Sequence, residues 1–233
     1  MIRGTSPLAR TLNPAVHAVR REAFLDAALG LIQTKGYEEM SIQDVLDELD
    51  ASRGAFYHYF DSKAALLGGV LERMTETVLE TLAPVVEDPT TTAIEKFEGI
   101  FTGIARWKGD RPDLVGELLR VWLSDENAIV REKYRHSITA KLAPLLSEII
   151  AQGIAEGFTA RSPRETARVV VSLILAANQT AVDLYVARQA DAVTFDEVLR
   201  NFAAYTDALE RILGTPTGSL RLADEETLRR WYG

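Results

Sequence analysis

Between Ser52 and Lys63 the chain reads SRGAFYHYFDSK, and several of these side chains can form directed bonds with a partner. A guanidinium such as that of Arg53 donates two parallel hydrogen bonds to adjacent acceptors. Tyr57 and His58 each add a flat ring with a polar edge. Gly54 has no side chain, so the backbone there can come close to a large partner. At helical spacing, Arg53, Gly54, Tyr57 and His58 fall on one side, while Ala55, Phe56 and Tyr59 fall on the other, with Ser52 near their line. The stretch predicts a short helix over 52–59 with Phe56 and Tyr59 turned inward and the polar set outward. A flat, locally basic, hydrogen-bonding face of this kind suits the major groove of DNA, where arginine reads guanine O6 and N7.

A short helix needs other elements to hold it, because isolated turns are marginal in water. Asn13-Pro14 is a helix start, and helical spacing continues through Phe24, Ala27, Ala28 and Leu31 to a stop at Gly36. Ser41 with Asp44 approximates a capping box; Thr92 with Glu95, Ser162 with Glu165 and Thr194 with Glu197 are fuller versions. Helices are predicted over 14–35, 42–48, 52–59, 62–86, 93–108, 112–123, 127–156, 163–189 and 195–213, with a short one from Asp224. No alternating stretch points to a sheet, so the fold class is all-α. The pair 42–48 and 52–59, joined by Leu49-Asp50-Ala51, has the layout of a helix-turn-helix.

The bulk composition narrows the function. The chain has 233 residues, 47% hydrophobic and 26% charged, which is ordinary for a globular protein with a real core. With no cysteine, disulfides and thiolate metal sites are excluded. His17, His58 and His136 stand far apart in sequence, and no HExxH, P-loop or dinucleotide glycine turn occurs, so no catalytic residue, metal site or cofactor is expected. Gly99 and Gly103 share a helix face and point to close helix packing. The N-terminus lacks the apolar core of a secretory signal, and the apolar run at 169–177 is short for a bilayer, so a cytoplasmic protein with no membrane partner is expected. A formal net charge of −8 opposes non-specific binding to a polyanion. DNA responds to the local field, however, and residues 1–21 hold Arg3, Arg10, Arg20 and Arg21 without an acid.

Residues 20–70 resemble the DNA-binding domain of the TetR (tetracycline repressor) family of bacterial regulators. The resemblance rests on Gly36-Tyr37, Ser41-Ile42, Asp44-Val45, then Ser52, Gly54, Phe56-Tyr57, Tyr59-Phe60, Ser62-Lys63 and Ala65-Leu66 in that order. Residues 71–233 are similar to the family only in length and helical layout. The resemblance implies that Tyr57 and His58 touch phosphate or thymine methyl groups and that Lys63 binds phosphate. Ser41 and Gln43 could reach a phosphate and a base edge, or equally serve as a cap and a solvated side chain. The candidate DNA-contact set is thus Ser41, Gln43, Ser52, Arg53, Gly54, Tyr57, His58 and Lys63. The family usually has small residues and a glycine where this chain has Leu46, Glu48, Leu49 and Asp50. Leu46 adds volume at a helix crossing, which the small Ala51 offsets, and Asp50 tolerates a left-handed turn.

The expected organisation is a basic arm at 1–13, a helix-turn-helix domain at 14–61, a helical ligand-binding and dimerisation domain at 62–213 and a tail at 214–233. In the family, the last two long helices, here 163–189 and 195–213, pair with the partner's copies, and a homodimer implies a two-fold symmetric double-stranded DNA operator. The family's effector pocket would draw here on Phe97, Phe101, Trp107, Trp122 and Tyr134, although aromatics at these spacings more often make a plain core. Asn178, inside an apolar run, is expected as a buried amide that needs partners. Helix 62–86 begins at Lys63 and would act as the lever between the two sites. The function expected is a ligand-responsive homodimeric regulator, a repressor released by a small apolar molecule; the alternative is a helical binding or scaffold protein whose DNA-reading head has lapsed.

Overall fold

The computed structural model describes residues 14–233, so the basic arm at 1–13, with Arg3 and Arg10, lies outside the described residues. Among them are ten α-helices and no strand: α1 (Pro14–Lys35), α2 (Ile42–Glu48), α3 (Arg53–Tyr59), α4 (Lys63–Glu87), α5 (Ala93–Gly109), α6 (Pro112–Leu123), α7 (Ala128–Glu156), α8 (Pro163–Gln189), α9 (Phe195–Leu213) and α10 (Glu225–Tyr232). The chain divides into two compact units, one up to Val70 and one from Leu71 to Gly233. Helix α4 supplies its first turns to the former and the rest to the latter.

The first unit is built around aromatic contacts. Phe24 of α1 meets Phe56 of α3 at 5.8 Å and Phe60 at 6.2 Å between ring centroids, and all three are buried. Leu25, Ile32, Val45, Leu66 and Leu67 complete this core. Each short helix is closed by local chemistry. Ser41 and Asp44 form a complete capping box at α2, and the Ser52 hydroxyl accepts the Ala55 N–H at the start of α3. The turn between them is tight because Asp50 adopts a φ of 45° and the Ala51 N–H reaches the Leu46 carbonyl at 2.9 Å. Leu46 is buried at this crossing. Both departures from the usual family pattern are therefore absorbed by the fold.

The second unit is a helical domain whose core runs through Leu82, Phe97, Ile100, Leu146, Ile150, Val170, Leu209 and Leu213. A Cβ at Gly103 would lie 2.4 Å from Leu82 Cδ2, and one at Gly99 would lie 2.6 Å from Val85 Cγ1. The two glycines thus let α5 press closely on α4, as their spacing predicts. Thr92 with Glu95 and Thr194 with Glu197 form complete capping boxes. The box expected at α8 is only half made: the Ser162 hydroxyl bonds the Glu165 carboxylate but caps no backbone N–H. Pro163 at the first helical position leaves one fewer donor to cap there.

One expectation needs correction. The apolar run at 169–177 belongs to a longer stretch: 125–156 and 163–189 are both long and apolar enough to cross a bilayer by length and composition. An average over many residues tolerates the interspersed Ser172, Asn178 and Gln179; in this fold α7 and α8 pack along each other. The tail has the expected short helix after Asp224, and it is anchored. Glu210 is buried and accepts the Gly218 and Leu220 N–H groups at 2.9 Å each. Beyond that loop α10 docks on α8, where the Tyr232 hydroxyl donates to the Ala181 carbonyl at 3.0 Å and Arg188 Nε donates to the Tyr232 carbonyl at 2.8 Å.

Candidate nucleic-acid interface

Helix α3 turns Phe56 fully inward, leaves Tyr59 half-buried and exposes Ser52, Arg53, Gly54, Tyr57 and His58. The split follows from Phe56 docking on Phe24, which fixes the rotation of a helix too short to choose it alone. Arg53 is exposed and makes no ion pair or hydrogen bond among the described residues, so it is not paired with Asp50. A Cβ on Gly54 would meet only Ser52 Oγ at 3.9 Å, so nothing in the fold itself requires glycine there. Tyr57 is 53% exposed with its ring edge-on to Phe56.

The other candidates are more engaged. The Ser41 hydroxyl is committed to the cap, accepting from the Asp44 N–H and donating to its carboxylate at 2.7 Å. Gln43 is exposed, but its amide donates to Asp47 Oδ1 at 2.7 Å. Lys63 is half-buried: its ammonium donates to the Glu38 carbonyl at 3.1 Å and sits 4.3 Å from the centre of the Tyr37 ring. That leaves it donors for an outside anion while tying α4 to the loop after α1.

His17 was not expected here. His17 and His58, far apart in sequence, bring their rings to 5.3 Å, and His17 also meets Tyr59 at 4.6 Å. The cause is the packing of α1 on α3 through Phe24, a contact no local pattern announces. Charge is arranged locally as well. Lys35 pairs with Asp44 at 2.8 Å, and hydrogen bonds from Lys35 and then Ser41 hold that carboxyl well below the usual carboxylate range. One acid of α2 is thereby neutralised, while Asp47 and Glu48 remain exposed.

In the second unit the residues proposed for an effector are not one group. Phe97 is fully buried core, and Phe101 packs against that core. Trp122 and Tyr134 meet edge-to-face at 5.7 Å; Trp122 Nε1 donates to Gln179 at 3.2 Å, and Thr75 donates to the Tyr134 hydroxyl at 3.2 Å. Trp107 Nε1 is buried without an acceptor among the described residues. Asn178 is exposed rather than buried, and its side-chain oxygen accepts from Lys108 at 3.3 Å. Its apolar neighbours in sequence lie on other faces of α8. A cleft of about 490 Å³ opens elsewhere, between α7 and the start of α8, lined by Ala143, Pro144, Ser147, Arg164 and Arg168 among others.

With this geometry in view, comparison with known proteins is decisive for the family. Residues 24–70 match the family described as bacterial regulatory proteins, tetR family, and residues 120–192 match a tetracyclin repressor-like C-terminal domain. This chain belongs to the TetR family. As such it is a DNA-binding transcriptional regulator with an N-terminal helix-turn-helix and a helical C-terminal domain. It is 23% identical over 150 residues to the HTH-type transcriptional repressor DhaR of Mycobacterium sp. (strain GP1), covering 56% of this chain and 76% of that protein. It is 33% identical over 92 residues to an uncharacterized HTH-type regulator in the lacX 3′ region of Lactococcus lactis subsp. lactis, covering 38% of this chain and 47% of that protein. In fold it is similar to RolR crystallised with resorcinol, with a TM-score of 0.63 at 17% identity over 93% of this chain and 95% of that one.

Proposed function

We propose that this TetR-family chain is a homodimeric repressor that binds a two-fold symmetric DNA operator in the cytoplasm and is released when a small, largely apolar molecule binds among its C-terminal helices. The observation that carries the DNA-reading part is Arg53: a free, exposed guanidinium on a capped helix, beside a glycine the fold does not require. Such a group forms a bidentate pair with guanine in the major groove. Tyr57, His58, Ser52 and the ammonium of Lys63 flank it as backbone contacts, and the second amide proton of Gln43 adds to them at the start of α2, while Ser41 serves as the cap.

Dimerisation through α8 and α9 is supported by the apolar surface that a single chain leaves open. Val169 and Val186 are 52% and 43% exposed on α8, a helix rich in valine, leucine and alanine. The effector reading draws support from RolR, a TetR-fold neighbour crystallised with resorcinol, and from relatives named as repressors, DhaR among them. A ligand can regulate only through different affinity for two states, and a coupling of about 1–3 kcal/mol is sufficient.

Selection of bound DNA from a random pool tests the reading. The expected product is a sequence with two inverted half-sites, its affinity falling steeply with salt. Recovery of no enriched sequence, with no salt-dependent shift of DNA flanking the protein's own gene, would sink the repressor reading.

A further inference from the structure

We infer that the effector is an aromatic acid whose carboxylate pairs with Lys108, an assignment that rests on the ligand-responsive reading above. Lys108 stands near the end of α5, partly enclosed, and its one polar partner is the Asn178 amide oxygen at a long 3.3 Å. Lys141 of the same unit, by contrast, pairs with Glu76 at 2.6 Å and Glu72 at 3.8 Å. Lys108 has no carboxylate partner among the described residues. Enclosure pushes its ammonium below the ordinary lysine value, the direction for a charge that lacks a counter-ion. The next residue, Trp107, carries a buried indole N–H with no acceptor. Two successive residues thus leave donors unused, and an anion is what the described residues do not supply.

The aromatic part of the ligand follows from the neighbours. Asn178 and Gln179 are adjacent on α8; the first holds Lys108 and the second holds the indole of Trp122 at 3.2 Å. Trp122 meets Tyr134, which accepts a hydrogen bond from Thr75 of α4. Successive residues of α8 thus hold the ammonium and the Trp122–Tyr134 aromatic pair. A carboxylate that takes Nζ displaces the exposed Asn178 amide, and the disturbance passes along contacts ending at Thr75 on α4, the helix that begins at Lys63.

The test uses the full chain with benzoate, phenylacetate and 1-naphthoate, each beside its primary amide, reading melting temperature and operator affinity. At least one acid is expected to raise the melting temperature and weaken operator binding while its amide does neither. Lys108→Met should cost that acid about tenfold or more in affinity. Asn178→Asp, which supplies the missing anion internally, should raise the melting temperature and likewise weaken the acid; it also serves if Lys108→Met does not fold. The inference is overturned if no acid binds, if amides bind equally, or if either variant keeps full acid affinity. A neutral amide that releases operator from wild type and Lys108→Met alike would discard the acid while leaving the ligand-responsive reading intact.

Discussion

The ammonium of Lys63 lies over the face of Tyr37, 4.3 Å from the ring centre, and donates to the Glu38 carbonyl at 3.1 Å. The residue that the family resemblance assigns to phosphate is therefore also a brace between α4 and the turn that follows α1. Lys63→Met should weaken binding to all DNA sequences alike and reduce the salt slope. It should also destabilise the helix-turn-helix unit by about 0.5–1 kcal/mol, since a partly exposed cation–π contact is lost. A variant that weakens DNA binding with an unchanged melting temperature would show that the brace carries no stability.

Arg53→Ala makes a different kind of change. Because Arg53 has no partner among the described residues, its loss should leave the melting temperature untouched. It should relax base preference at one position per half-site by about 1–3 kcal/mol. Repeating the DNA selection with the variant checks this, and an unchanged selected sequence would remove Arg53 from base reading.

Replacing both Val169 and Val186 of α8 with glutamate should shift the proposed dimer to monomer at micromolar concentration. Burying two unpaired charges in an apolar interface costs several kcal/mol. Sedimentation velocity reads the outcome directly. Wild-type protein that is already monomeric there would end the paired half-site argument as well.

Gly103→Val places two methyl groups where Leu82 Cδ2 already stands 2.4 Å from a hypothetical Cβ. Leu82 is buried and has little room to turn aside, so overpacking should cost about 1–3 kcal/mol. Chemical denaturation monitored by tryptophan fluorescence reports it, because Trp107 and Trp122 lie in the same unit.

Acid should loosen the helix-turn-helix through Asp44. Its carboxyl is held below its ordinary 3.8 by Lys35 and Ser41, so its contribution is present in full above that value and is lost as pH falls through the lowered folded value. Asp44→Asn should therefore lower the melting temperature at neutral pH, with the difference from wild type shrinking toward strongly acid pH. A difference that is constant with pH would mean that the carboxylate charge plays no part.

How far the chain could be read without its structure depended on the range of the forces involved. The helices were legible because their signals act within a turn or two. Thr92 with Glu95 and Thr194 with Glu197 close their boxes across three residues, Asp224 caps α10, and Gly36 ends α1 with a φ of 86°. The outward set on α3 was legible for the same reason, since one apolar residue, Phe56, fixes which side turns in. Asp50 could be assigned a left-handed turn from its side-chain chemistry alone.

What tertiary structure decided lay where two surfaces distant in sequence meet. His17 reaches His58 only because α1 crosses α3, and Lys63 finds Tyr37 only because α4 folds back beside the first loop. Asn178 looked buried from its apolar neighbours, yet it faces outward, because α8 offers its core contacts through Ala167, Val170 and Val171 on another side. The short helix from Asp224 was legible, but not its anchorage through Glu210 and Ala181. Periodicity along a chain specifies which residues share a face of one helix. It does not specify which face of another helix will cover it, because that choice is made by the packing of the whole set.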